Sequence, residues 1–251
     1  MKKTVRLEEL NEYSFKEANI DKVILPIGSC ESHGEHLPYG CDSLLCHQLA
    51  IDVAERLDNA VAAPPQFFGM SHYYRHKPMC LSLSNDTLAR VITDLLESIA
   101  FWGITKVLIV NGHDGNIPAI EIAAHDFKAK HPDFGLAVLD AWWITAGNLL
   151  PPETFEAWNG LGHGGEGETS LGLATFPELC DMSRARGDIP EMDSNVKLIW
   201  NFQELSRHGA SGDPTKATQE KGKKMRQALA DCLVDFVKRM DAQNWRYELR
   251  K

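Results

Sequence analysis

The chain reads as an α/β fold with a mainly parallel sheet covered by helices on both faces. Apolar runs of strand length at 23–29, 106–110 and 135–141 alternate with stretches of helical period. Two of these runs lead into glycine-bearing turns rich in ligand-type side chains, at the strand ends where open parallel sheets carry their sites. At 251 residues, with no Pro-, Ser- or Gly-rich linker and no internal repeat, residues 1–251 are expected to form a single domain.

Taken in order, the charged residues 1–20 predict a short helix near Leu7–Tyr13. Val23-Ile-Leu-Pro-Ile-Gly-Ser29 follows as a buried strand ending in a glycine turn, and 30–42 reads as a loop. Ser43–Leu57 has a helical stripe at 44, 45, 49, 53 and 57, and Asn59–Pro64 returns to the sheet. The aromatic and polar stretch 66–78 has no period and suits a loop that lines a pocket, whereas Met79–Ser84 alternates like a strand. Asn85 and Asp86 are expected to cap a helix with apolar positions 88, 91, 92, 95, 99 and 102, closing at Gly103. Lys106–Val110 reads as a strand that delivers Asn111-Gly-His-Asp-Gly-Asn116, and a helix runs from 117 to 130 with Pro118 in its first turn. Gly135–Ala141 is the last strand, after which Trp142-Trp143 opens an irregular segment to Trp158. The glycine-rich 160–170 leads into a short helix, Leu171–Thr175, and 183–213 carries few periodic signals. Asp213-Pro214 is expected to cap a final helix with its stripe at 217, 225, 228, 229, 232, 236 and 240.

A formal charge of −9 with no Lys/Arg run argues against a nucleic-acid binder and fits an acidic, solubilising surface. The six cysteines contain no C-x-x-C pair and read as reduced thiols. Met1-Lys-Lys3 opens like a signal peptide but lacks its apolar region, and no run approaches the roughly 18 apolar residues of a membrane span. A cytoplasmic protein with neither nucleic acid nor membrane as a partner is expected.

Three clusters carry chemistry: Glu31, His33 and Asp42; His113 beside Asp114; and His163 with Glu166 and Glu168. Imidazole and carboxylate ligands without thiolates suit Zn, Mn or Fe(II) better than Ca or Mg. A carboxylate such as Asp42 can bridge two metals about 3.5–4 Å apart, and such pairs serve hydrolysis by activating water. Each cluster has a plainer reading alone. A histidine in a glycine turn is commonly structural, and Glu166 and Glu168 would suit a helix N-terminus electrostatically. Three clusters on one sheet edge favour a metal site.

Together, Leu25-Pro-Ile-Gly-Ser…Glu31-Ser-His-Gly-Glu-His-Leu-Pro…Asp42, Asn111-Gly-His-Asp-Gly-Asn116, His163-Gly-Gly-Glu-Gly-Glu-Thr-Ser170 and Gly212-Asp-Pro-Thr-Lys-Ala-Thr…Lys-Gly222 resemble the creatininase (creatinine amidohydrolase-like) family, over about residues 20–240. The resemblance implies a three-layer α/β/α sandwich with two divalent metal ions per chain, in a homo-oligomer that is often a hexamer. It implies that Glu31 and His113 bind one metal, that His33 binds the other and that Asp42 bridges them. Creatininase has a glutamate two places after the histidine that matches His113, where this chain has Gly115. Glu168 is the candidate for that role, with Asp114 in reserve. His163 matches the family's proton-transfer histidine. The residue before it is Gly162 in place of an acid, and the tryptophan that covers creatinine would fall at Asn159, one position after Trp158.

Other residues stay open at this point. His36 is either an orienting partner of a ligand or structural. Tyr73, Tyr74, Arg75 and His76 either contact substrate or belong to a surface loop. His47, His125, His131 and His208 read as solvated or structural, Glu35 as a surface residue, and Trp142 and Trp143 as pocket wall or packing. The expected activity is metal-dependent cleavage of a C–N bond in a small cyclic or linear amide. The alternatives are another hydrolase of the same family, acting on a formamide-pyrimidine, a peptide or a keto-inositol, and a non-catalytic metal-binding scaffold.

Overall fold

The structure, a computed structural model, describes residues 4–191, 196 and 198–247. Its centre is an all-parallel sheet of β1 (Lys22–Ile27), β2 (Ala60–Ala62), β3 (Lys106–Asn111) and β4 (Gly135–Leu139), in the order β2-β1-β3-β4. The α-helices are α1 (Glu12–Glu17), α2 (Cys41–Ala54), α3 (Asn85–Phe101), α4 (Ile117–Lys130), α5 (Trp142–Leu149), α6 (Glu166–Thr175) and α7 (Gln219–Ala242). All of β1 is buried because helices cover both faces, which is why its sequence is a continuous apolar run and not an alternation. Val23, Leu25, Ile27, Val107 and Ile109 pack with α3 and α4, whereas Ile24, Leu108 and Val110 pack with α2, α5, α6 and α7. The result is the expected three-layer α/β/α sandwich. In its register Lys22 lies opposite Lys106 and Ile27 opposite Asn111, so the two central strands end level.

The first turn of α2 comes close to the end of β1. A Cβ on Gly28 would lie 2.2 Å from the Ser43 hydroxyl, so only glycine admits this approach. Helix α2 starts at Cys41, earlier than its stripe indicates, and this puts Asp42 in its first turn rather than in the preceding loop.

Other boundaries also move. The N-terminal helix is a 3-10 turn, Leu7–Glu9, followed by α1, whose N-cap Asn11 accepts the Ser14 N–H. Met79–Ser84 forms no strand; Leu81 makes a single bridge to Cys30, and Met79 and Leu81 are exposed. The cap of α3 is Ser84, whose hydroxyl accepts the Thr87 N–H at 3.2 Å. Trp142–Leu149 is helical rather than irregular; at eight residues, with Gly147 and Asn148 near its end, it is too short to show a clear stripe. Helix α6 starts at Glu166, five residues before Leu171, despite its glycines. Packing overrides propensity there: a Cβ on Gly222 of α7 would sit 1.8 Å from the Ser170 carbonyl oxygen. Asp213 caps only the 3-10 turn Pro214–Lys216, and Thr218 caps α7 by accepting the Lys221 N–H at 3.2 Å. Among the described residues no helix is long and apolar enough to cross a membrane.

Candidate metal centre

Beyond the level ends of β1 and β3 the chain turns polar side chains inward. Glu31 and His33 come from the turn after β1, Asp42 from the first turn of α2, His113 from the turn after β3 and Glu168 from the first turn of α6. All five are buried, Glu31 and His33 completely. Asp42 lies between two groups. Its Oδ2 is 3.4 Å from His113 Nδ1, which is 3.1 Å from Glu31 Oε1. Its Oδ1 is 2.9 Å from His33 Nε2, which is 3.6 Å from Glu168 Oε2. Each group joins an imidazole and a second carboxylate to one oxygen of Asp42.

Hydrogen bonds behind these side chains fix which atoms face inward. His33 donates from Nδ1 to the Glu31 carbonyl at 3.2 Å, and His113 donates from Nε2 to the Met70 carbonyl at 2.9 Å. The opposite nitrogen of each ring therefore faces the carboxylates. Glu31 Oε2 accepts the Ser29 hydroxyl at 2.8 Å, and Glu168 Oε2 accepts the Gly164 N–H at 2.6 Å. His163 donates from Nε2 to the Ser32 carbonyl at 2.6 Å and sets Nδ1 3.6 Å from Glu31 Oε1. Its ring lies 4.1 Å from that of His33 and stacks at 4.4 Å on Tyr74.

The residues fit divalent cations on two grounds. Glu31 Oε1 and Asp42 Oδ2 are buried and, among the described residues, meet the shared His113 ring without a well-formed hydrogen bond, an arrangement that a divalent cation would satisfy. The charges point the same way. Burial pushes Glu31 up, but the His113, His163 and His33 rings outweigh it and hold its carboxyl at about 2. Burial alone would lower His33 and His113, yet the facing carboxylates hold them up at about 10 and about 9. Protons thus occupy the inward nitrogens that a cation needs bare, so metal binding releases them. His163, with burial and His33 against it, sits well below the usual histidine range.

The remaining candidates separate. His36 is buried; its Nε2 faces the Thr169 hydroxyl at 2.9 Å and the Gly164 carbonyl at 3.2 Å, so it braces the turn that carries Glu168. Glu166 turns away from the ligands. Its carboxylate accepts N–H groups of Glu156 and Ala157 and meets Lys221 Nζ at 2.6 Å, which ties down the segment that carries Trp158. Asp114 is exposed at the pocket mouth and lies outside both ligand groups. His76 and Glu35 are exposed, and neither lines the pocket. His131 pairs with Glu97 and His47 with Glu8, and His125 lies in a groove beside β4.

A cavity of about 250 Å³ opens onto the carboxylates, walled by Tyr73, Trp142, Trp143, Trp158, Trp200 and Phe202. The buried indole N–H of Trp142 has no hydrogen-bond partner among the described residues. Trp200 and Phe202 were not singled out in the sequence, because 183–213 has no period to draw attention to them. Cys41, one of the six thiols, is buried beside the ligands. Its sulfur lies near His33, Asp42 and Glu168, and adjacency to Asp42 was the one available signal.

The Creatininase family model, described as creatinine amidohydrolase, matches residues 7–237. A creatinine amidohydrolase from Pseudomonas putida is 33% identical over 201 residues, 73% of this chain and 76% of that protein. A mycofactocin precursor peptide peptidase from Mycobacterium ulcerans (strain Agy99) is 27% identical over 228 residues, 86% of this chain and 84% of that one. A solved mutant creatininase of Zn–Zn type superposes with a TM-score of 0.78 at 25% identity, covering 94% of this chain and 98% of that one.

Proposed function

The chain belongs to the creatininase family, and from that premise we propose that it is a metal-dependent amidohydrolase that cleaves a C–N bond of a small cyclic or linear amide. The observation that carries this reading is the division of Asp42, one carboxylate oxygen toward each imidazole–carboxylate group. Glu31, Asp42 and His113 would hold one divalent ion, and His33, Asp42 and Glu168 the other, of Zn, Mn or Fe type. Ions bound there supply Lewis-acid polarisation of the amide carbonyl and a lowered pKa for water.

The chain's own residues do the rest. The indole and phenyl faces of the cavity would orient a planar substrate and exclude bulk water. Nε2 of His163 is committed to the Ser32 carbonyl, so Nδ1 is its working atom. The ring is neutral at rest, so it first takes a proton from the attacking water and then passes it to the departing nitrogen. Among the described residues no Lys or Arg lines the cavity, so no basic side chain there would pair with a substrate phosphate.

The test is turnover by apo and metal-reconstituted protein across lactams, cyclic ureas, formamides and short peptides. Hydrolysis that needs metal supports the reading. Two ions bound per chain with no turnover across the panel would favour a metal-binding scaffold instead. The reading includes a homo-oligomer, which light scattering on the purified protein measures directly.

A further inference from the structure

We propose that Tyr73 is a positioning residue for His113 and that Gly115 preserves the space in which it acts; the inference rests on the metal reading above. The Tyr73 hydroxyl lies 3.2 Å from His113 Nε2, beside the Met70 carbonyl at 2.9 Å. The other nitrogen of that ring faces Glu31 and Asp42, so whatever holds Nε2 aims Nδ1. Tyr73 is thus behind the ligand, on the side away from the carboxylates, and its role is orientation rather than proton transfer.

The segment that supplies these contacts is anchored. Met70 N–H donates to Asn116 Oδ1 at 3.0 Å, and Asn116 Nδ2 donates to the Gly28 carbonyl at 3.0 Å. Ser71 N–H donates to the Ser82 hydroxyl at 2.7 Å, and the Ser71 hydroxyl meets Ser29, which donates to Glu31. Residues 70–73 therefore back both Glu31 and His113. His33 and Glu168 rest on other groups, the Glu31 carbonyl and the Gly164 amide. Tyr73 also meets Trp200 edge-to-face at 5.1 Å, so one side chain joins the cavity wall to the back of the ligand.

Gly115 is required by space. A Cβ there would lie 2.2 Å from the Met70 oxygen, 2.5 Å from the Tyr73 hydroxyl and 2.6 Å from His113 Nε2. Any side chain at 115 would push out the contacts that hold the ring, so this position is closed to a carboxylate while Tyr73 stays in place.

The experiment titrates the apo full-length chain, wild type and Tyr73→Phe, with Zn²⁺ or Mn²⁺ against a chromophoric chelator, and records the ligand-field spectrum of the Co²⁺ form. The expected result is a weakening of one of the two dissociation constants by about 10-fold or more, a change in the matching Co²⁺ band, and no change at the other site. Gly115→Ala should weaken the same constant further, with Tyr73 still present. A merely structural role would lower the melting temperature and shift both constants together, or neither. Two ions bound with wild-type constants in Tyr73→Phe, or both constants weakened equally, would overturn the inference alone. A wild-type chain that binds no divalent ion would overturn the metal reading and this inference with it.

Discussion

The two ends of Asp42 are built differently. At one end the ligands hang from strands: Glu31 and His113 follow β1 and β3, whose register brings the strand ends level. At the other end His33 also follows β1, but its partner carboxylate depends on helix packing: Glu168 lies in the first turn of α6 with its carboxylate on the Gly164 amide. The electrostatics differ accordingly. Glu31 faces three imidazoles that overcome its burial and hold it at about 2. Burial and the Asp42 and Glu31 carboxylates outweigh His33 at Glu168 and leave it at about 7. The strand-borne carboxylate is well compensated by imidazoles, whereas the helix-borne one relies on the turn beneath it.

The most severe way to break the comparison is to remove what the two ends share. Asp42→Ala should lose both ions and lower kcat/KM by about 10³-fold or more, read by elemental analysis beside kinetics. Two ions retained per chain would show that Asp42 is not the bridge. Next, His163→Asn should keep both ions yet lower kcat by about 10²–10⁴-fold, because it removes a proton carrier and no ligand. Metal loss in that variant would make His163 a ligand rather than a carrier. Glu168→Gln should separate the ends by losing one ion and keeping the other, with the loss in affinity about 10–100-fold at a single site.

The smallest effect concerns the brace under the helix-borne end. His36 has its Nδ1 buried without a hydrogen-bond partner among the described residues, and burial, more than the nearby His33, lowers it to about 4. The unfolded ring titrates near 6.5, so the fold prefers the neutral form. Its contribution is whole above about pH 6.5 and falls away as the pH drops toward 4, by at most about 3 kcal/mol. Urea unfolding from pH 7 to pH 4 should show a shallower loss of stability in His36→Gln than in wild type. Equal slopes would mean that another group titrates.

The strand-borne end was the more legible of the two in the sequence. Val23–Ser29 and Lys106–Val110 are short apolar runs, and a histidine or glutamate just past such a run has few other places to be. The helix-borne end was harder to see. Helix α6 is glycine-rich and buried on all sides, so neither propensity nor period marks its start at Glu166. Glu166 and Glu168 look equivalent in the chain, yet they diverge, one to Lys221 and the backbone of 156–157, the other toward His33. Two residues apart on a helix, they cannot share a face. Trp200 and Phe202 reach the cavity from a stretch with no period, so nothing local announces them.

The sequence by itself determined the layers, because burying a strand on both faces needs a continuous apolar run and burying a helix on one face needs a stripe. It also determined the donor types available to a metal, since these are chemistry carried by residue identity. Tertiary structure decided which donor points where. That choice depends on contacts between residues far apart in the chain: Asp42 is drawn in by the approach of Ser43 to Gly28, and His113 is turned by Met70 and Tyr73. Such contacts leave no local period, and only the folded chain brings them together.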